Sequence, residues 1–367
     1  MSNISNELLP VLDQLSKLTP SELEGLGLSM EELLTVELLS DPVKWAKEYL
    51  NWESRDYQDL ILEQGAKRTR LVLRLGRRLG KTECMCILIL WHAFTQINRD
   101  PEKRAEDPYD ILILTPYEKQ ATLIFDRLIE LIDGSPELKG SIERKVFLRL
   151  ELFNKTCIQL MTLGQSSGKG AANIRGQRAD LLVYDEVDFI GEDEITNSIA
   201  IANEDKQRIK VLAASTPSGD RRSYYNWCTG ASHTYDADIP HIESTGEIKY
   251  KYENRPGRSG NAWTHIYAPS TVNKKLHELN PDTGMSGLEE LREEFTEMKY
   301  QQEVMAEFGE SEAGVYQKKY VDVAVQIGQQ LGITYAGDYK GTSLQDFKKL
   351  GPRILGIDWD KNVTKCA

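Results

Sequence analysis

Short, mostly apolar runs punctuate this chain at Leu71 to Leu75, Ile111 to Leu114, Leu181 to Tyr184 and Ile209 to Ala214. Runs of that length with so few polar interruptions predict strands, and Leu181 to Tyr184 reads as a parallel strand buried on both faces. Between them the pattern changes to helical spacing. After Thr115-Pro116, the residues Ala121, Ile124, Leu128, Leu131 and Ile132 share one face of a helix that ends at Asp133-Gly134. Val146 to Phe153 and Thr156 to Leu163 read as two strands joined at an Asn154-Lys155 turn. Such alternation predicts an α/β fold with a mostly parallel sheet flanked by helices and a hairpin at its edge. Residues 5–50 read as acidic helices opened at Thr19-Pro20 and Asp41-Pro42, where a capping residue precedes proline. Downstream, Ser286 to Glu289 forms a capping box for a helix with Leu288, Leu291, Phe295 and Met298 on one face.

The first apolar run carries chemistry. It leads into Gly76-Arg77-Arg78-Leu79-Gly80-Lys81-Thr82 and then into an apolar helix pattern. Glycine lets backbone N–H groups approach phosphate oxygens, and the helix N-terminus behind it favours negative charge. The lysine reaches β and γ phosphates, and the threonine hydroxyl is a Mg²⁺ ligand. The usual phosphate loop has a glycine where Leu75 stands, and Gly76 comes one place late. Taken alone, the motif is also a turn that opens a helix.

Its complement follows at Leu181 to Tyr184, which delivers Asp185 and Glu186 at the C-terminal end of a strand, where open α/β sheets bind ligands. Asp185 is placed to hold Mg²⁺ with Thr82, and Glu186 to orient and deprotonate an attacking water. The alternative is an acidic strand end that caps the next helix. Ile209 to Ala214 ends in Ser215-Thr216-Pro217, either a hydroxyl pair that senses a γ-phosphate or a plain proline-glycine turn. Tyr57 and Gln58, upstream of the loop, offer a ring face and an amide that suit adenine. Gly164 to Gly170 imitates a phosphate loop but has no Ser or Thr after Lys169 and no helix pattern behind it. It reads as a mobile loop whose lysine contacts DNA or a neighbour. Arg175 is a surface residue or reaches the γ-phosphate of an adjacent subunit.

Length and composition narrow the partners. A chain of 367 residues has room for two or more domains. No apolar run approaches the roughly 18 residues that span a bilayer, and Met1 to Asn6 lacks the basic and apolar parts of a signal peptide. A soluble intracellular protein without a membrane partner is expected. Cys84, Cys86, Cys157, Cys228 and Cys366 show no paired metal spacing, so neither a zinc site nor a disulfide framework is expected. A net charge of −12 and a pI near 5.1 argue against a protein that simply coats nucleic acid. Local basic clusters remain at Lys67 to Arg70, Arg74 to Arg78, Arg221-Arg222 and Lys249 to Lys251.

Taken in order, Arg55 to Gln58, Gly76 to Thr82, Ile174 to Gly176, Leu181 to Glu186 and Ser215 to Pro217 resemble the large terminase subunit of tailed bacteriophages. That subunit is the ATP-driven motor that pumps viral DNA into an empty capsid. The resemblance implies a P-loop NTPase core of the ASCE, RecA-like type that uses ATP and Mg²⁺. Gly76, Arg78, Leu79, Gly80, Lys81 and Thr82 would surround the phosphates, with Tyr57 and Gln58 at the base. Ser215 and Thr216 would couple hydrolysis to movement. Loops of this family carry an arginine three residues before the glycine of Gly-Lys-Thr, here Arg77, the implied cis sensor of the γ-phosphate. Arg175 is the implied finger for the neighbouring site, so catalytic roles fall to Glu186, Arg77 and Arg175. A finger supplied in trans implies a ring of copies of this chain. The other implied partners are double-stranded DNA, the portal protein and the small terminase subunit. The implied location is the cytoplasm of the infected host cell and, transiently, the procapsid portal.

Arg353 to Asp360 resembles the first strand of an RNase H-type nuclease, with Asp358 as a metal ligand, and the sequence stops seven residues later. A two-metal site needs several carboxylates. DNA cleavage by this chain is therefore not expected, whether the truncation is engineered or reflects a gene split by an intron or intein. The expected organisation is a helical lead at 1–45, an ATPase core at 46–235, and an ATPase subdomain with its closing helix at 236–310. A linker at 311–350 and the truncated nuclease strand at 351–367 complete it. Two other classes fit parts of the pattern. A DExD-box-type helicase, evoked by Gln58 and Asp185 to Asp188, needs a second nucleotide lobe, for which residues 240–310 lack strand–helix alternation. An assembly component ordered by nucleotide without turnover is the other.

Overall fold

Asp41 opens a helix by accepting the N–H groups of Val43 and Lys44 at 2.9 and 3.2 Å, while Pro42, which has no N–H to lose, takes its first position. This is α1 (Pro42–Leu50). There follow α2 (Asp56–Lys67), β1 (Arg70–Leu75), α3 (Lys81–Thr95), β2 (Tyr109–Thr115) and α4 (Glu118–Gly134). Then come β3 (Ile142–Val146), β4 (Arg149–Leu152), β5 (Thr156–Thr162), β6 (Leu181–Asp185), α5 (Glu192–Glu204) and β7 (Lys210–Ser215). The chain continues through α6 (Ser223–Thr229), β8 (His233–Ile242), β9 (Ile248–Asn254), β10 (Thr264–Ala268), α7 (Gly287–Glu294) and α8 (Glu297–Glu303). The structure, a computed structural model, describes residues 38–96, 108–163, 174, 176–204, 209–219, 222–242, 248–255, 262–309, 357–359 and 364–366. The helix start expected at Thr19-Pro20 and the loop at Gly164 to Gly170 lie outside them.

Ten strands form one sheet in the order β3-β4-β5-β2-β6-β7-β1-β10-β8-β9. Pairing is parallel from β5 through to β8 and antiparallel at the two ends. The apolar runs became interior strands because both faces of the sheet are covered. On β1, Leu71, Leu73 and Leu75 pack with α2, α3 and α4, while Val72 points into a second cluster with α5 and α6. That division follows from the two-residue period of a strand. The strongest cover is α3, in which every residue from Cys84 to Ala93 is buried. On the opposite face Trp227 and Trp263 stack with ring centroids 4.3 Å apart.

Register then sets the functional edge. Asp185 of β6 lies opposite Ala214 of β7, and Arg74 of β1 opposite Ser215. The C-terminal ends of β6, β7 and β1 are thus level, and whatever follows them shares one rim of the sheet.

Three sequence expectations are corrected. Val146 to Phe153 is not one strand: Leu148 takes a left-handed φ of 56°, which folds Phe147-Leu148 into a turn and makes β3 and β4 a second hairpin. No glycine or asparagine announces that turn. Residues after 220 add β8, β9 and β10 to the sheet, with β10 parallel to β1; β9 is almost wholly exposed and carries no apolar run. The single helix expected from Ser286 breaks at Phe295, where Thr296 accepts the N–H of Lys299 at 3.3 Å and starts α8. Its capping box is present at Ser286 and Glu289.

The boundary expected at 235/236 falls inside β8, and the first compact unit runs to Gly309. Residues 310–367 form a second unit, in which β11 (Ile357–Trp359) and β12 (Thr364–Cys366) pair antiparallel with Asp358 opposite Lys365. No helix among the described residues is long and apolar enough to cross a membrane.

Tyr224 of α6 ties two of the level strands together: its buried hydroxyl lies 3.1 Å from the Leu73 carbonyl and 2.8 Å from that of Ser215. Tyr224→Phe leaves the ring in place and removes this donor, so urea unfolding should report a loss of about 1–2 kcal/mol with an unchanged denaturant slope.

Candidate active site

Between β1 and α3 the chain must turn sharply while leaving its N–H groups available. Arg78 and Gly80 both adopt left-handed backbone, with φ of 61° and 75°. Gly76 is required for a different reason. A Cβ there would lie 2.5 Å from the Val304 carbonyl oxygen and 2.6 Å from the Ser270 nitrogen. The glycine that stands late in the sequence is therefore placed where the loop passes against other backbone. Gly80 caps α3, so the loop ends at a helix N-terminus.

A cleft of about 540 Å³ opens over this loop. Gly76, Arg77, Arg78, Leu79, Gly80, Lys81, Thr82, Glu186 and Thr216 all line it. Lys81 donates to Glu186 Oε1 at 2.6 Å and to Thr216 Oγ1 at 3.2 Å. The other carboxylate oxygen of Glu186 accepts from Ser215 Oγ at 3.1 Å and from the Thr216 N–H at 3.2 Å. Glu186 itself holds a left-handed φ of 51°, a conformation that costs a non-glycine residue about 1–2 kcal/mol and that aims its side chain across the strand ends. Ser215 and Thr216 therefore reach the site as partners of Glu186.

Asp185 sits behind Glu186, fully buried. Gln120 of α4 donates to its Oδ2 at 2.6 Å, while Oδ1 has no hydrogen-bond partner. Burial pushes its pKa up to about 6, against the pull of the Lys81 ammonium, and the Glu186 carboxylate raises it further. A buried carboxylate oxygen without a partner is what a hard cation satisfies. Asp185 with the Thr82 hydroxyl fits Mg²⁺, an ion that takes one or two protein ligands and fills its shell with water and phosphate oxygens.

Arg77 forms a two-pronged ion pair with Glu303 of α8, Nε to Oε2 at 2.6 Å and Nη2 to Oε1 at 2.9 Å. That pairing raises the pKa of its guanidinium. Tyr57 and Gln58 are buried and do not line the cleft. Gln58 gives Nε2 to the Leu79 carbonyl at 2.9 Å and accepts the Arg55 N–H at 3.0 Å, while Arg55 donates to the Tyr57 hydroxyl at 2.9 Å. The amide is thus engaged with backbone and supports the loop instead of offering an edge to a base. Arg175 lies outside the described residues, and Asp358 belongs to the second unit, with its side chain outside them too.

Sequence reasoning missed Gln120, Tyr117, Phe189 and Glu303, of which the last three line the cleft. Tyr117 and Gln120 were findable: they follow the C-terminal end of β2, a neighbour of β6 in the sheet, and that rim binds ligands. Glu303 had no such signal, since it lies more than two hundred residues beyond Arg77.

Comparison with known proteins gives a family and a fold. The family described as the N-terminal part of the T4likevirus-type terminase large subunit matches residues 72–320. The large terminase ATPase domain of Thermus phage P74-26 is similar at 19% identity and a TM-score of 0.51, over 73% of this chain and 99% of that one. An arginine-to-alanine mutant of the same domain gives 18% and 0.52 over the same shares. The large terminase of bacteriophage HK97 is 13% identical over 73% of this chain and 55% of that one, with a TM-score of 0.49. No curated protein matches the sequence.

The raised pKa of Asp185 sets a stability prediction. A carboxyl whose folded pKa lies above its unfolded value, 3.8 here, favours folding at low pH and loses that contribution as pH rises through about 6. Above that pH the ionised group should cost on the order of 3 kcal/mol. Asp185→Asn removes the charge, so without nucleotide or metal the variant should melt higher than wild type near neutrality, with the difference vanishing at acid pH. Melting curves across pH check this.

Proposed function

This chain belongs to the T4likevirus-type family of terminase large subunits, whose matched span contains every residue of the cleft, and from that premise we propose that the cleft hydrolyses ATP to drive double-stranded DNA into a procapsid. The observation that carries the assignment is the convergence of Lys81, Thr82 and Glu186 in one cleft at the C-terminal rim of β1, β6 and β7, with Asp185 buried at the end of β6.

The residues divide the reaction as follows. Loop N–H groups and Lys81 hold the β and γ phosphates. Thr82 and Asp185 would hold Mg²⁺, whose chemistry there would be to neutralise phosphate charge. Glu186 accepts the proton of a water that attacks the γ-phosphorus, while the bond from that phosphorus to the bridging oxygen breaks and ADP and phosphate leave. Without nucleotide, the Lys81 ammonium neutralises Glu186. Phosphate draws Lys81 away, which frees Oε1 of Glu186 for water. Ser215 and Thr216 keep their hold on Oε2, so a change at Glu186 passes to the end of β7. Arg77 is the cis arginine, and it reaches the γ-phosphate by leaving Glu303.

Arg175 serves the neighbouring site in a ring, and the portal protein and the small terminase subunit are the expected partners on the procapsid. The motor works in the cytoplasm of the infected host cell. The other two classes fit less well. A helicase needs a second nucleotide lobe, and β8, β9 and β10 extend the first sheet instead of starting one. A scaffold without turnover has no use for Glu186 held beside Lys81.

Glu186→Gln should keep nucleotide binding and lower turnover by about 10²-fold or more. Wild-type turnover should rise with protein concentration, and Arg175→Ala should abolish that rise. Steady-state ATP hydrolysis with and without linear duplex DNA tests both, and equal turnover in the Glu186 variant would remove this residue from the reaction.

A further inference from the structure

Three consecutive carbonyls of the loop are each held by a side chain from outside it. Arg77 O accepts from Ser270 Oγ at 2.8 Å, Arg78 O from Asn273 Nδ2 at 2.8 Å and Leu79 O from Gln58 Nε2 at 2.9 Å. In a planar trans peptide the C=O and the following N–H point in opposite directions. Tying down these carbonyls therefore turns the N–H groups of Arg78, Leu79 and Gly80 to the other side of the loop. Those are the groups a phosphate needs.

Two of the donors come from the segment after β10, and both are themselves fixed. Ser270 is fully buried, and its N–H donates to the Val304 carbonyl at 2.7 Å. Asn273 is buried, and its Oδ1 accepts the Lys275 N–H at 3.2 Å, capping the 3₁₀ turn Lys274–His277. Its amide nitrogen is thereby directed at Arg78, the residue in the loop with a left-handed φ and no glycine to ease it. The same frame holds the loop upstream: the Gly76 N–H donates to Ala268 O at 2.9 Å and the Arg77 N–H to Glu303 O at 2.8 Å.

We propose that Ser270 and Asn273 are positioning residues for ATP, holding the phosphate loop in its binding shape from the 268–304 side as Gln58 does from α2. The proposal rests on the reading of the cleft as the ATP site. Asn273→Asp is the informative variant, because it keeps the acceptor for Lys275 but sets a carboxylate oxygen against the Arg78 carbonyl.

Binding of a fluorescent ATP analogue, KM and kcat for ATP, and melting temperature would be measured for wild type, Asn273→Asp, Ser270→Ala and Lys81→Ala. Asn273→Asp should weaken binding about tenfold at pH near 8 and Ser270→Ala about threefold, mainly in KM, with melting temperatures within a few degrees of wild type. The ratio of the Asn273→Asp affinity to that of wild type should recover as pH falls far enough to protonate the buried carboxyl, which then again donates to Arg78 O. A purely structural role for Asn273 would not produce that recovery. Wild-type binding and KM in Asn273→Asp overturn the proposal. Should that variant not fold, Ser270→Ala decides alone, with unchanged binding overturning it and weakened binding supporting it. Wild-type ATP binding by Lys81→Ala would instead overturn the site assignment itself.

Discussion

Charge taken out of water must be matched, and the rim of this sheet concentrates that demand. Lys81, Asp185 and Glu186 lie together where burial raises the cost of every unpaired charge. The lysine and Glu186 satisfy each other, while Asp185 has one oxygen engaged and one without a partner. The arrangement is a poor way to stabilise a resting protein and a good way to bind polyphosphate with a cation. In the proposed ATP complex each deficit would be met by something the ligand brings: negative oxygens for Lys81, positive charge for Asp185, and release of Glu186. The two buried clusters on either face of the sheet hold this unfavourable rim in place.

How much of this the sequence discloses depends on where each signal is stored. Strands buried on both faces leave long apolar runs, and β1, β2, β6 and β7 were all legible for that reason. Lys81, Thr82, Asp185 and Glu186 were legible too, since strand-end position and local spacing specify them. The strands β8 and β9 were not, because an exposed ribbon alternates weakly and β9 carries lysines and tyrosines rather than an apolar run. Leu148 adopts a turn conformation that its side chain does not advertise. Gln58, expected at the base, donates its amide to the Leu79 carbonyl in this structure. An amide that suits a purine edge suits a peptide carbonyl equally well, and only the fold decides which it meets.

The long-range half of the site was invisible for a plainer reason. Glu303, Ser270 and Asn273 lie some two hundred residues from the loop they touch, and no local pattern encodes that meeting. Their effect is to make the phosphate loop a shared element. Its backbone is hydrogen-bonded to α2 on one side and to the segments around Ser270 and Val304 on the other. A displacement of α8 would pull on Arg77 through both backbone and side chain, so the loop and the end of the first unit move as one.

Among the described residues β3 and β9 are the edge strands of the ten-stranded sheet, and an edge strand is where another chain can continue a sheet. At one margin β3 presents Arg144 and Lys145, and at the other β9 presents Lys249 and Lys251, all of them exposed. Long charged side chains along an edge strand make edge-to-edge pairing costly. In a molecule whose overall charge is negative, lysines and arginine are thus set along the two edges at which β-sheet aggregation would begin.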